Sequence, residues 1–321
     1  MRILLALLFI LATATVNGQV IDLKQGMKIT SSVTIRKALY SINSPDASGK
    51  VSLETAPVIE ISGNNIVIDF NNARLTGSND KDMPDEFYGL AIRVTGGKNI
   101  TIKNLSARGY KVALLATDVE GLVIENCNFS YNYRQHLNST QEKEDISDWM
   151  SYHQNEKDEW LRYGAAMYLR NCNKALIRGN TVTGGQCALM MTNCNDGLVY
   201  NNNFSFNSAI GIGMYRSSRN RVMYNKLDWN VRGHSEGVYN RGQDSAAILV
   251  FEQCNENVCA YNSATHSGDG FFLWAGQTTM DKGEGGCNDN LIFSNDFSHA
   301  PTNGIEVTFS RNRIAENTVV G

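Results

Sequence analysis

Along most of the chain, short apolar runs alternate with polar turns, and the runs recur in a fixed order. Eight segments align under one another: YGLAIRV (88–94), YKVALLA (110–116), YGAAMYL (163–169), GQCALMM (185–191), SAIGIGM (208–214), DSAAILV (244–250), SGDGFFL (267–273) and PTNGIEV (301–307). The fourth place of each is small: Ala91, Ala113, Ala166, Ala188, Gly211, Ala247, Gly270 and Gly304. Behind each comes a second apolar run, such as GLVIEN, ALIRGN, GLVYNN or LIFSN, that closes on a polar residue. The series Asn180, Asn202, Asn225, Asn262, Asn295 and Asn317 advances by 22, 23, 37, 33 and 22 residues. The base period is thus about 22 residues, lengthened where extra residues enter.

A short-strand repeat of that length cannot bury its apolar side alone and must stack on its neighbours. Leucine-rich repeats share the period but need a leucine consensus that is missing here. The pattern predicts an all-β fold, a right-handed parallel β-helix solenoid of about 22-residue rungs with loop insertions. Rungs about 4.8 Å apart would pair backbone to backbone and align identical residues in ladders. Asparagine suits the corners, because it tolerates left-handed backbone and its amide can bond the next asparagine in the stack. Residues 19–60 are expected to cap the open end, whose strand edges would otherwise be exposed. Residues 61–321 form the coil. The run NRIAENTVVG leads straight to Gly321, so the sequence reads as a fragment of a longer solenoid.

From about residue 60 to 321 the repeat resembles the pectate-lyase-like superfamily of right-handed β-helix proteins, which includes NosD-like domains. That resemblance implies the fold. The superfamily contains lyases, hydrolases, epimerases and non-enzymatic stalks, so chemistry must be sought in the residues. Pectin-type hydrolases of this kind place carboxylates just before the small residue, in a DD-C pattern followed by GHG. Here GDG at 268–270 supplies one aspartate, and GHG and Arg-x-Lys are both missing.

Strand alternation sorts the columns. Ile92, Leu114, Met167, Leu189, Ile212, Ile248, Phe271 and Ile305 should face inward, and all are apolar. The neighbouring outward columns become aromatic through Tyr168, Tyr215, Phe251, Phe272 and Trp274. Exposed, these would form a platform for sugar rings; an inserted loop could instead cover them. Insertions near 131–162, 228–243 and 275–286 wall the same face, and loops on a rigid scaffold usually carry function. The column before the small residue runs Leu90, Val112, Ala165, Cys187, Ile210, Ala246, then turns polar at Asp269 and Asn303. Asp244, His266, Asp269 and Glu306 are therefore the candidate catalytic residues. Carboxylates one or two rungs apart reach the separations used in glycoside hydrolysis. Proton abstraction in a uronate lyase would draw instead on His266, Tyr239, Arg232 and Arg241. Tyr168, Tyr215, Tyr239, Arg241, Phe251, Phe272 and Trp274 are the candidate substrate-binding residues.

Composition adds context. Arg2, the apolar run 3–11 and the small residues up to Gly18 have the layout of a secretory signal over residues 1–18. That apolar run is too short to span a bilayer, and no later segment is apolar enough. The expected location is secreted or periplasmic. Lys+Arg number 29 against 32 Asp+Glu, which gives no footprint for nucleic acid. Cys172 and Cys194 share one turn on adjacent rungs, as do Cys254 and Cys287; each pair could bridge or stand as an unbridged thiol ladder. No zinc-type spacing or EF-hand loop occurs, so no metal ligands are assigned; a Ca2+ site assembled from separate rungs stays open. The expected function is that of a secreted polysaccharide-active enzyme, a hydrolase or uronate lyase. The alternative is a non-catalytic carbohydrate-binding or adhesion solenoid.

Overall fold

The computed structural model describes residues 19–78, 83–140, 142–143, 145–148, 155–232 and 245–321. Within them the chain winds into a coil with two large sheets, one of twelve strands and one of ten. Each rung sends one strand to each sheet, and the pairing is parallel throughout. Among the described residues, helix is confined to Gln277–Lys282 and two 3-10 turns, Ile146–Asp148 and Glu159–Tyr163.

The period predicted from the sequence sets the register. Leu114 pairs with Met167, Met167 with Leu189, Leu189 with Ile212, Ile212 with Ile248, and Ile248 with Phe271. These side chains are fully buried in one continuous interior. Each large apolar side chain withdrawn from water contributes about 1.5–3 kcal/mol, and a charge at Ile212 would find no partner there. The small column sits where rungs press closest. A Cβ on Gly270 would lie 2.5 Å from the Gly304 carbonyl oxygen and 2.7 Å from Phe297.

The corners are held by buried amides. Asn202 Nδ2 donates to Asn225 Oδ1 at 2.9 Å, Asn225 Nδ2 to Asn262 Oδ1 at 3.0 Å, and Asn262 Nδ2 to Asn295 Oδ1 at 2.9 Å. Each also donates to a carbonyl of the preceding rung, as Asn225 Nδ2 does to Val199 O at 3.0 Å. The buried turn thereby meets its polar demands. The left-handed residue at this corner is the one before each asparagine, whatever its type: Asn201, Tyr224, Tyr261 and Ser294 all have positive φ. The ladder asparagine is spared that strain because its amide must point inward. A second ladder, Asn220–Asn257–Asn290–Asn312, stabilises another corner in the same way.

Residues 19–60 are joined to the coil. Gln19–Ile21 and Val33–Ile35 enter the twelve-stranded sheet, while Met27–Ile29 and Pro57–Ile61 enter the other. The segment expected to cap the solenoid therefore meets its edge as rungs of the same pattern. All seven cysteines are free, so the stacked pairs form a thiol ladder without bridges. Cys172 N–H donates to Cys194 Sγ at 3.4 Å, and Cys194 N–H to Ser217 Oγ at 3.0 Å. The column offers an acceptor to each rung, and serine serves as well as cysteine.

Candidate functional site

The outward face of the ten-stranded sheet has the columns that alternation predicts. Cys187, Ile210, Ala246, Asp269 and Asn303 follow one another in register. Beside them run Leu115, Tyr168, Met190, Gly213, Leu249, Phe272 and Glu306. Farther along each strand come Arg170, Thr192, Tyr215, Phe251 and Trp274.

The aromatic part of this face is not open. Tyr168, Tyr215, Phe251 and Phe272 are at most 1% exposed and belong to a second hydrophobic cluster outside the coil. The first insertion provides the cover. Trp160 sets its ring edge-on against Tyr215 and Phe251, with centroids 5.6 and 5.9 Å away. Leu161 and Tyr163 are buried in the same cluster. Of the two arrangements the sequence leaves open at these residues, the covered one is found: all four are buried, and an indole from the polar insertion lies against Tyr215 and Phe251. Trp274 lies at the margin, half-buried.

Polar contacts pin the insertion down. Asn155 Nδ2 donates to Tyr168 Oη at 2.9 Å and to Thr192 Oγ1 at 2.8 Å. The Tyr168 hydroxyl donates to Asp158 Oδ1 at 2.9 Å, and Arg170 lies 3.3 Å from the same carboxylate. Burial raises the Asp158 carboxyl above its ordinary value. Two rungs on, the Tyr215 hydroxyl donates to Glu252 Oε2 at 2.7 Å, and Arg216 bridges Glu252 to Glu156. Burial, then the Glu252 carboxylate, push the Tyr215 phenol up; Tyr168 moves the same way, chiefly through burial. Both phenols stay protonated at neutral pH, which suits them to donating hydrogen bonds and not to removing protons.

The polar end of the face is different. Asp269 is fully buried. Its Oδ1 accepts from the backbone N–H of Asn303 at 3.1 Å and from Asn303 Nδ2 at 3.2 Å. The same Nδ2 donates to Glu306 Oε2 at 2.7 Å. One side-chain amide thus holds both carboxylates, and shared contact with its nitrogen keeps them within about 6 Å, near the pairing used by retaining glycosidases. Sequence reasoning missed Asn303 as the link, although it was visible as the second polar residue of its column.

The other candidates divide. His266 adopts a left-handed backbone that turns its ring to a corner, 4.2 Å from the Trp229 ring and 4.8 Å from His299. Its Nδ1 meets Thr265 Oγ1 at 3.1 Å. It therefore packs in an external aromatic row, three residues from Asp269 in sequence. Arg232 is buried, with its guanidinium at the Asp148 carbonyl and Gln135. Tyr239, Arg241 and Asp244 lie outside the described residues. Among the described residues no three His, Cys, Asp or Glu side chains converge as metal ligands. No helix there is long and apolar enough to cross a membrane.

Comparison with solved structures returns parallel β-helix proteins. DFA-IIIase of Arthrobacter chlorophenolicus A6, solved without its lid, aligns over 88% of this chain and 71% of its own at 15% identity, with a TM-score of 0.53. A double mutant of the periplasmic alginate epimerase AlgG aligns over 91% and 76% at 10% identity, TM-score 0.53. The Dettilon tailspike protein aligns over 94% and 60% at 13% identity, TM-score 0.54. At such identities the likeness is one of fold. No curated protein matches by sequence. The family profile described as right handed beta helix region matches residues 147–319, more than half of the sequence, and the chain belongs to that family.

Proposed function

We propose that the chain is a secreted, polysaccharide-active β-helix protein whose reaction centre is the Asp269–Asn303–Glu306 group. The observation that carries this reading is Asp269 itself. It stands in a column that is apolar for six earlier rungs, it is fully buried, and it is tied through one amide to a second carboxylate. Burying a carboxylate is costly, and carboxylates paired at such cost are candidates for acid–base chemistry. The solved β-helix neighbours include a DFA-IIIase and an alginate epimerase, which agrees with a carbohydrate substrate.

The arrangement favours hydrolysis with two carboxyl groups, one protonating the leaving oxygen and the other attacking or activating water. Asn303 positions both. Asp244 ends the preceding rung's loop in sequence and is the natural third acidic group. A uronate lyase would need a base and a cation at the same place, with Tyr239 and Arg241 as the candidates.

A second reading, a non-catalytic glycan-binding solenoid, draws on the covered face: Trp160 occupies the aromatic surface an extended substrate would use. Asp269→Asn and Glu306→Gln separate the two. Each is expected to abolish turnover of a polysaccharide that the wild type cleaves, while melting temperature stays within a few degrees. Full activity in both variants would remove this centre from consideration.

A further inference from the structure

On the opposite side of the coil, the bend after the short strands of the twelve-stranded sheet carries two unusual features on one axial line. Toward the N-terminal rungs it bounds a groove of about 770 Å³ lined by Lys37, Arg74, Asn72, Asn104 and Asn126 among others. Lys37 and Arg74 are exposed, and neither has an ion-pair partner among the described residues. Asp69, on the same rungs, is already engaged by Lys103 and Asn104. Toward the C-terminal rungs the same bend presents Tyr200, Tyr224 and Tyr261, which are 41–50% exposed, followed by Phe293. Their rings form one row: Tyr200 to Tyr224 at 5.8 Å, Tyr224 to Tyr261 at 4.9 Å, Tyr261 to Phe293 at 5.6 Å. Between groove and row stands the neutral Glu125–Arg178 pair.

We infer that this edge is a second binding site, for a linear acidic polysaccharide lying along the coil axis. The two free cations supply complementarity for carboxylate groups, and asparagine amides beside them can bond sugar hydroxyls. The tyrosine row then repeats a phenol at rung spacing, about 4.8 Å. None of the three phenolic hydroxyls has a hydrogen-bond partner among the described residues, so each is free for a hydroxylated ligand. A single-stranded nucleic acid fits less well. It needs open ring faces, whereas Tyr224 and Tyr261 are stacked on each other at 14°. The site goes beyond the Asp269 centre and is independent of it: one would cleave or transform the chain, the other would hold it.

Binding of polygalacturonate, dextran and an oligothymidylate to the full chain tests this by affinity electrophoresis. The wild type should bind polygalacturonate and be retarded much less by dextran. Lys37→Gln with Arg74→Gln should weaken that binding by about tenfold to a hundredfold, the loss expected for charged hydrogen bonds. Tyr224→Ala with Tyr261→Ala should weaken it as well. Asp269→Asn should leave it unchanged while abolishing turnover, so the two sites fail separately. Unaltered binding in the cation variant, whose side chains are in solvent and whose fold melting can confirm, would overturn the inference. Tighter binding of oligothymidylate would do so too, as would unaltered glycan binding in the tyrosine variant.

Discussion

Trp160→Ala tests how the outward face is closed. The indole is 1% exposed and meets Tyr215 and Phe251 edge-on. Truncating a buried tryptophan costs about 3–5 kcal/mol, and the edge-to-face pairs account for part of it. Because Trp160, Leu161 and Tyr163 pack on the outward face and not in the coil interior, that loss should appear as local opening and not as unfolding of the rungs. At about 4 kcal/mol the open population rises by a factor approaching a thousand. The polar pins at Asn155 and Asp158 remain, so part of the docking survives. Limited proteolysis reads the open population directly when reclosing is fast. The variant should be nicked within 131–163 hundreds of times faster than wild type. It should also bind a hydrophobic dye at the uncovered tyrosines and phenylalanines, with the coil's circular dichroism unchanged. Equal nicking rates and no dye binding would refute the idea that Trp160 seals this face.

Three further outcomes are expected. Asn225→Ala removes the acceptor of the Asn202 backbone N–H and the side-chain donor to the Val199 carbonyl; two buried groups that lose these bonds cost about 2–6 kcal/mol, to be read from the urea midpoint. Burial pushes the Cys127, Cys187 and Cys259 thiols up to about 12, so native protein should resist alkylation. In denaturant without reductant all seven thiols should react, and a bridged pair in the mass spectrum would contradict the free ladder. The Asp158 carboxyl is raised in the docked state by burial. Its proton is therefore held more tightly docked than free, so this contribution is complete at acid pH and lost as pH rises through the raised value. Proteolysis of the insertion should quicken across that window, and Asp158→Asn should flatten the slope.

The coil was legible because its physics is periodic. An inward column must stay apolar on every rung, so Ile92 through Ile305 could be aligned by eye, and the asparagine steps marked where rungs lengthen. The second ladder, Asn220 to Asn312, carries the same steps and was available to the same reasoning. The cover over Tyr215 and Phe251 was not legible. Trp160 sits in a polar, aperiodic insertion, and only tertiary docking decides whether its indole meets water or the sheet. The surroundings of His266 were not legible either, for a local reason. Its distance from Asp269 in sequence is short, but a left-handed turn throws the ring into a row with Trp229 and His299. That row recurs at rung period from Phe206 onward, a signal the strand columns masked. Asp269 itself stood out because one carboxylate interrupts an apolar column.

The most direct test of the central claim is an activity screen of the purified protein on acidic and neutral polysaccharides with Ca2+ added, following reducing ends and the ultraviolet absorbance of unsaturated uronate together. New chain ends on at least one substrate, lost in Asp269→Asn, are the predicted result. Reducing ends alone would identify a hydrolase, and both signals a lyase. No product on any substrate, or turnover that survives Asp269→Asn, would contradict the assignment of the reaction centre.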